Sequence, residues 1–518
     1  SCGNESFGGK TIFEMSNFFR ANDPTRLVHY EGVFHDRRYP DTSDMESQMY
    51  TPQPQVERFL QEHPDKPLIL CEYSHAMGNS CGGLRKYTDY AMREPRFQGG
   101  FIWDYIDQAI LKKAPDGKEF FAYGGDFDDA PTDYNFCANG LVYADRKNSP
   151  KMQEVRSCYQ NFVLTLHADT LTLTNRSLFT DANEYNLVLR LCRNGAVLDE
   201  RISVLDAQPG QTVQSMLPFT VPTENAHFSI DAALTLKQDT IWAKAGHTVA
   251  FGQWTVHPNT KTPLKTPCKL VDSDVNIGIR GAHFSLLFSR SAGALVSYRV
   301  MGREWLRQPM QLNFWRASTD NDKGCAMPFH DAQWMTAGIF AKFIGVNVTE
   351  RDGFPLIVAE YQLPILESTV QVEFSADGNG TLHLALVWQG APCDVPEFGF
   401  LLVLNAQQSR VAYLGDGPEE TASDRKSGAR FGRFAFAVEE NLSNYVMPQE
   451  CGGRTGVYEA EVRDERGSLG FYGEGMFFFA LPYTPLELES ARHPSDLPAP
   501  NKTVVRCALG QRGVGGDN

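Results

Sequence analysis

The sequence predicts a mixed fold, α/β at the start and all-β after it, on three observations. Residues 1–160 alternate short apolar runs with helically spaced ones, the strand–helix–strand order of a parallel sheet. From about residue 162 the period drops to two, with roughly seven short strands before residue 257, which predicts an immunoglobulin-like β-sandwich over 161–257. From 268 to 518 strands dominate again but are longer and richer in Gly, Phe and Tyr, as in a large antiparallel domain of stacked sheets.

In the first segment, Thr11–Arg20 repeats apolar positions at helical spacing, and Asn22-Asp23-Pro24 ends that helix. Arg26–Glu31 reads as a short strand and Met45–Tyr50 as a second, followed by a helix over Gln55–Glu62. Leu68–Cys71 is an apolar run entered from Asp65-Lys66-Pro67, the mark of a fully buried parallel strand that stops at Glu72. A helix over Leu84–Met92 and a strand over Phe97–Trp103 complete the pattern. That makes about four strands, half of a closed (β/α)8 TIM barrel, which needs about 250 residues.

The sandwich strands are Phe162–Leu166, Thr170–Asn175, Tyr185–Cys192, Arg201–Leu205 and Phe228–Leu236, with Trp254–Val256 closing the unit. His257–Pro267, rich in Pro and Lys, reads as a linker.

At 518 residues with 42% hydrophobic and 21% charged residues, the chain has the composition of a globular protein of about three domains. No apolar run is long enough for a membrane helix, which excludes that class of span. A net charge of −15 disfavours nucleic acid and suits a neutral partner such as a sugar. Eleven dispersed cysteines argue against a disulfide framework and for a reducing, cytoplasmic setting.

Two carboxylates stand out. Glu5 lies in Gly3-Asn4-Glu5-Ser6 before a helix, and Glu72 ends a buried strand 67 residues on (72 − 5), about three βα units around a barrel. Strand C-terminal ends are where α/β barrels carry their chemistry. One acid to protonate a leaving oxygen and one carboxylate to attack an anomeric carbon is what retaining glycoside hydrolysis needs, about 5–5.5 Å apart. His75 and Asn79 offer hydrogen bonds to hydroxyls, Trp103 a face for a sugar, and Tyr50 a hydroxyl to orient the nucleophile. Each also has a plainer reading, since strand-end acids cap helices and strand-end aromatics more often pack cores. Trp315–Gly324 is acidic but lacks the twelve-residue calcium-loop pattern.

Gly3-Asn4-Glu5-Ser6 and Cys71-Glu72-Tyr73-Ser74-His75-Ala76-Met77-Gly78-Asn79-Ser80 resemble the large bacterial β-galactosidases of glycoside hydrolase family 2. The likeness continues in Gly99–Gln108, Tyr123–Phe127, Asn139–Val142, Arg316–Gly324, Tyr413–Pro418 and Gly513–Asp517. It implies a retaining hydrolase of terminal β-D-galactosyl residues such as those of lactose, with Glu5 as acid/base, Glu72 as nucleophile and Tyr50 hydrogen-bonded to it. It further implies that Asn4, His75, Trp103 and Asn139 contact the sugar. Phe136, through its carbonyl, and Asn139 would hold Na+, and Glu5 would be one ligand of Mg2+. The same resemblance makes residues 1–160 the C-terminal half of the barrel and 268–518 a small-chain-type supersandwich, within a longer, homo-oligomeric protein.

Departures from the family pattern are also legible. The first barrel strands, the remaining Mg2+ ligands and the sodium-binding Asp would lie upstream of Ser1. Phe7-Gly8 stands where the family usually has Gly-His, and Val504 lies near the place of its C-terminal sugar-stacking Trp. The alternatives are a β-glucuronidase or other family 2 glycosidase, and a non-catalytic carbohydrate-binding β-sandwich.

Overall fold

A computed structural model describes the chain except residues 115–116, 259–262, 365–367 and 517–518. Part of the expected linker, 259–262, and Asp517 of the final motif therefore lie outside the described residues.

The first 160 residues build helix α1 (Lys10–Asn22), strand β1 (Glu46–Met49), helix α2 (Gln53–Glu62), strand β2 (Leu68–Tyr73), helix α3 (Leu84–Ala91), strand β3 (Phe97–Ile102) and helix α4 (Lys151–Cys158). The strands form a parallel sheet in the order β1-β2-β3. Val56 and Leu60 of α2, one turn apart, and Leu84 and Tyr87 of α3 pack with Leu68, Leu70 and Phe97 of the sheet. Among the described residues the parallel strands are three, not four. The expected strand Arg26–Glu31 is irregular, joins no ladder and gives way at Glu31 to a single helical turn, and donors within it are taken locally. The Val28 N–H binds Asp44 Oδ2 at 2.6 Å and the Tyr30 N–H binds Ser43 Oγ at 3.2 Å. Strand β2 also runs on through Glu72 to Tyr73 instead of stopping at Cys71.

Residues 162–256 form seven strands in two antiparallel sheets, one of three strands and one of four. Alternate residues of both sheets, such as Leu164, Leu171 and Leu173 against Leu189, Ile230 and Leu234, share one core. The strand expected at Arg201–Leu205 is instead Ala196–Ser203, paired with Tyr185–Arg193 across the turn at Asn194-Gly195.

From Lys269 onward, antiparallel sheets of five, four and seven strands stack on a common core. The Phe288 and Phe374 rings meet across two of them at 5.6 Å. Thr319 and Asp322 form a capping box on the short helix Asp320–Gly324, so Asp322 serves local structure, while Asp320 accepts from Asn135 and Gln449 of distant segments. Among the described residues, no helix is long and apolar enough to cross a membrane, and all eleven cysteines are free.

A histidine pair joins the second and third units. His227 and His257 approach at 3.1 Å between Nδ1 atoms, and the His257 ring stacks on Tyr458 at 4.6 Å. Burial, and then the charge of His227, pushes His257 down to about 4. An imidazole harder to protonate in the fold than in the unfolded chain stabilises fully above its unfolded pKa of about 6.5. That contribution is lost as pH falls from there through about 4. Thermal melts should therefore lose on the order of 1–3 kcal/mol of stability over that window. His257→Phe should flatten the loss, and an equally steep loss in the variant would remove the pair as its source.

Candidate active site

The site is assembled where the three parallel strands end. A shift in register between Gln48 and Met49 sets Met49 opposite Glu72, while Tyr73 pairs with Ile102. Tyr50, Glu72 and Trp103 are thus brought to neighbouring strand ends. The Tyr50 N–H donates to the Glu72 carbonyl at 2.9 Å, and the Tyr50 hydroxyl donates to Glu72 Oε2 at 2.5 Å. Glu72 is only 9% exposed, so this hydrogen bond, of the strong charge-assisted kind, fixes the carboxylate's rotamer.

Tyr50 and Ser74, just past the ends of β1 and β2, and Glu5 all take a left-handed backbone, with φ of 52°, 49° and 49°. Non-glycine residues seldom adopt this conformation, and such strain concentrates at functional sites.

His75 lies on the loop after β2, its ring 5.5 Å from that of Tyr50 and 5.7 Å from that of Phe136. Burial, then the charge of Lys151, holds its imidazole below the ordinary range, which favours the neutral form. Trp103 is 37% exposed, and its carbonyl accepts from the Ala76 N–H at 2.7 Å, tying the end of β3 to the His75 loop.

Phe136 sits in the single helical turn Tyr134–Cys137. Its carbonyl accepts from Asn139 Nδ2 at 2.9 Å, while buried Asn139 Oδ1 has no hydrogen-bond partner. A carbonyl beside an orphaned amide oxygen suits a hard monovalent cation, and a flip of the amide would aim both oxygens at it. These residues fit the expected Na+. For Mg2+, whose other expected ligands would lie upstream of Ser1, no group of three His, Cys, Asp or Glu side chains able to hold a metal occurs among the described residues.

Asn4 and Glu5 lie on an exposed loop moored through the Cys2 N–H to the His29 carbonyl at 2.8 Å and the Tyr30 hydroxyl to the Ser6 carbonyl at 2.7 Å. Glu5 is exposed and makes no hydrogen bond or ion pair with a described residue. Tyr50, Glu72, His75, Phe136, Asn139 and Trp103 are brought together; Asn4 and Glu5 are not bonded to them.

Asn79 does not face the site. It is buried, donating to the Glu450 carbonyl at 2.8 Å and accepting from Arg425 at 2.7 Å, so it pins the His75 loop to the last unit and offers nothing to a sugar. Val504 is likewise buried, packed with Leu401 and Val403.

Three family models match the chain in order. "Glycosyl hydrolases family 2, TIM barrel domain" covers residues 1–164, "Beta-galactosidase, domain 4" covers 171–257 and "Beta galactosidase small chain" covers 280–518. The chain belongs to glycoside hydrolase family 2. It is 44% identical over 534 residues to a β-galactosidase of Halalkalibacterium halodurans, an alignment covering 100% of this chain and 52% of the relative. A β-galactosidase of Streptococcus thermophilus is 37% identical over 546 residues (100% and 53%), and one of Priestia megaterium 38% over 533 (100% and 51%). The chain spans about half the length of these curated relatives.

Sequence reasoning missed two buried charges beside these loops, Lys151 and Asp107. Both are buried around Gly140: Lys151 Nζ donates to the Gly140 carbonyl at 2.7 Å, and Asp107 Oδ1 accepts from the Gly140 N–H at 2.7 Å. A lysine opening a helix and an aspartate in a loop look like surface charges in a sequence; nothing local marked them as interior.

Proposed function

We propose that this chain carries the acid/base and the nucleophile of a retaining β-galactosidase. The observation that carries the reading is the Tyr50–Glu72 hydrogen bond, which orients a nearly buried carboxylate at the C-terminal end of a parallel strand, beside His75 and Trp103. A Glu72 oxygen attacks the anomeric carbon, the bond to the aglycone oxygen breaks, and Glu5 gives that oxygen its proton. A galactosyl ester on Glu72 results. Glu5 then takes a proton from water, the water oxygen attacks the same carbon, and β-D-galactose leaves with the Glu72 carboxylate restored.

His75, as neutral imidazole, and Asn4 bind sugar hydroxyls, and Trp103 packs on the apolar face of the ring. Na+, when bound by the Phe136 carbonyl and Asn139 Oδ1, supplies positive charge toward a sugar hydroxyl. No step is assigned to Mg2+.

In this reading residues 1–160 are half of a TIM barrel, 161–257 an immunoglobulin-like sandwich and 268–518 a supersandwich that braces the His75 loop through Asn79. The natural setting is the cytoplasm, as a homo-oligomer.

The test is hydrolysis of a chromogenic β-galactoside beside the matching β-glucuronide, with the product anomer followed by NMR. Galactoside-selective release of the β anomer supports the reading; release of the α anomer or preference for the glucuronide overturns it. Tyr50→Phe removes a hydrogen bond to a charged group, worth about 1.5–3 kcal/mol. It should lower kcat about 10- to 150-fold without changing the fold. An unchanged kcat would show that the hydroxyl does not orient the nucleophile.

A further inference from the structure

Lys151, the first residue of α4, is 1% exposed, and its ammonium is gripped by backbone alone. Nζ donates to the carbonyls of Ala76 at 2.6 Å, Gly78 at 2.9 Å and Gly140 at 2.7 Å. Three acceptors match the three N–H donors of an ammonium group. The Tyr445 ring lies 5.6 Å away, and among the described residues no carboxylate pairs with Nζ. A buried cation with no carboxylate within bonding distance is costly, since Asp107 and Glu420 act on it only from farther off, and a methionine would fill the same space without that cost. The lysine is therefore explained only by what the three carbonyls need.

Those carbonyls belong to two loops. Ala76 and Gly78 follow His75; Gly140 follows Asn139. The loops also touch through the Gly78 N–H and the Ala138 carbonyl at 3.3 Å. Gly140 is held at both ends, its N–H by Asp107 and its carbonyl by Lys151, in a space where a Cβ would come within 2.1 Å of the Asp107 nitrogen. Glu72 and Tyr50 hold each other at the strand ends and do not pass through this clamp.

We propose that Lys151 is a positioning residue, an internal cation that fixes the His75 loop against the Asn139 loop and so sets the spacing of the groups that grip the galactosyl hydroxyls. It touches no substrate and acts on binding, not on the covalent step. The proposal rests on the galactosidase reading for its substrate but not for its geometry.

The experiment compares wild-type protein with Lys151→Met and Lys151→Ala, measuring kcat and KM on an aryl β-galactoside and hydrogen exchange of amides in 74–80 and 136–140. Glu72→Gln serves as the catalytic control. In Lys151→Met, KM and the Ki of galactose should rise about 10- to 100-fold, as for other residues that orient a contacting group. The fall in kcat should be smaller. Exchange should quicken in both loops and not in β1 or β2. Lys151→Ala leaves an empty cradle of three carbonyls, so added ammonium chloride should restore KM and exchange protection in that variant, with no such gain in wild type or from equal sodium chloride. Wild-type KM in Lys151→Met, or losses spread over kcat, KM and melting temperature that ammonium does not reverse, would overturn the clamp. A wild-type protein that hydrolyses no galactoside would overturn the galactosidase reading alone, and the exchange measurements would still decide the clamp.

Discussion

Glu72→Gln is expected to lower galactoside turnover by about 10⁴-fold or more, the scale seen when a covalent nucleophile is removed. The change is close to isosteric. Tyr50 still donates to the amide oxygen, and the position at the end of β2, opposite Met49 and one residue before the Tyr73–Ile102 pair, is set by backbone pairing. What disappears is the anionic oxygen that forms the bond to the anomeric carbon; a neutral amide cannot take that role. Galactose affinity and melting temperature should stay near those of the parent, because His75, Trp103 and Asn139 do not depend on the charge of Glu72 for their placement. Steady-state kinetics with active-site titration, beside calorimetry of galactose binding, makes the comparison. A variant within tenfold of the parent would exclude Glu72 as nucleophile.

Glu5→Gln should show a loss that depends on the leaving group. Lactose, whose leaving alkoxide needs a proton, should lose about 10²–10⁴ in rate, the usual contribution of a general acid. A dinitrophenyl galactoside, whose leaving group needs no proton, should form the galactosyl ester at nearly the parent rate and then stall, because the same residue must activate water. Azide, which needs no base, should relieve the stall and yield β-galactosyl azide. The exposure of Glu5 makes this the more searching of the two tests, since no described side chain holds it toward Glu72. Equal losses on both substrates, with no azide product, would remove Glu5 from the acid/base role.

The α/β-then-β order, the strand ending near Glu72 and the strand Thr170–Asn175, whose burial alternates as its sequence does, were legible because hydrophobic periodicity reports burial; in Phe228–Leu236 the polar positions Ser229 and Thr235 are buried as well. Arg26–Glu31 has a strand's composition and is not one, because Asp44 and Ser43 supply hydrogen bonds that a neighbouring strand would otherwise make. Tyr50, Glu72, His75 and Trp103 could be picked out because barrel chemistry gathers at strand ends. Asn79 misled for the opposite reason: a polar loop residue beside a site looks like a ligand, while its partner Arg425 lies 346 residues away in sequence. Lys151 stayed hidden for the same reason, since its partners at Ala76 and Gly78 are 75 and 73 residues distant and carry no side-chain signal.

The central claim, that Glu72 forms the bond to the sugar, is tested most directly by trapping that bond. Incubation with a 2-deoxy-2-fluoro-β-galactoside bearing a good leaving group slows release of the glycosyl ester more than its formation. Peptide mass spectrometry of the trapped protein should then show one fluorogalactosyl group, attached at Glu72 and absent from Glu72→Gln. The same label on another carboxylate, or turnover of the inhibitor with no covalent adduct, would contradict the account.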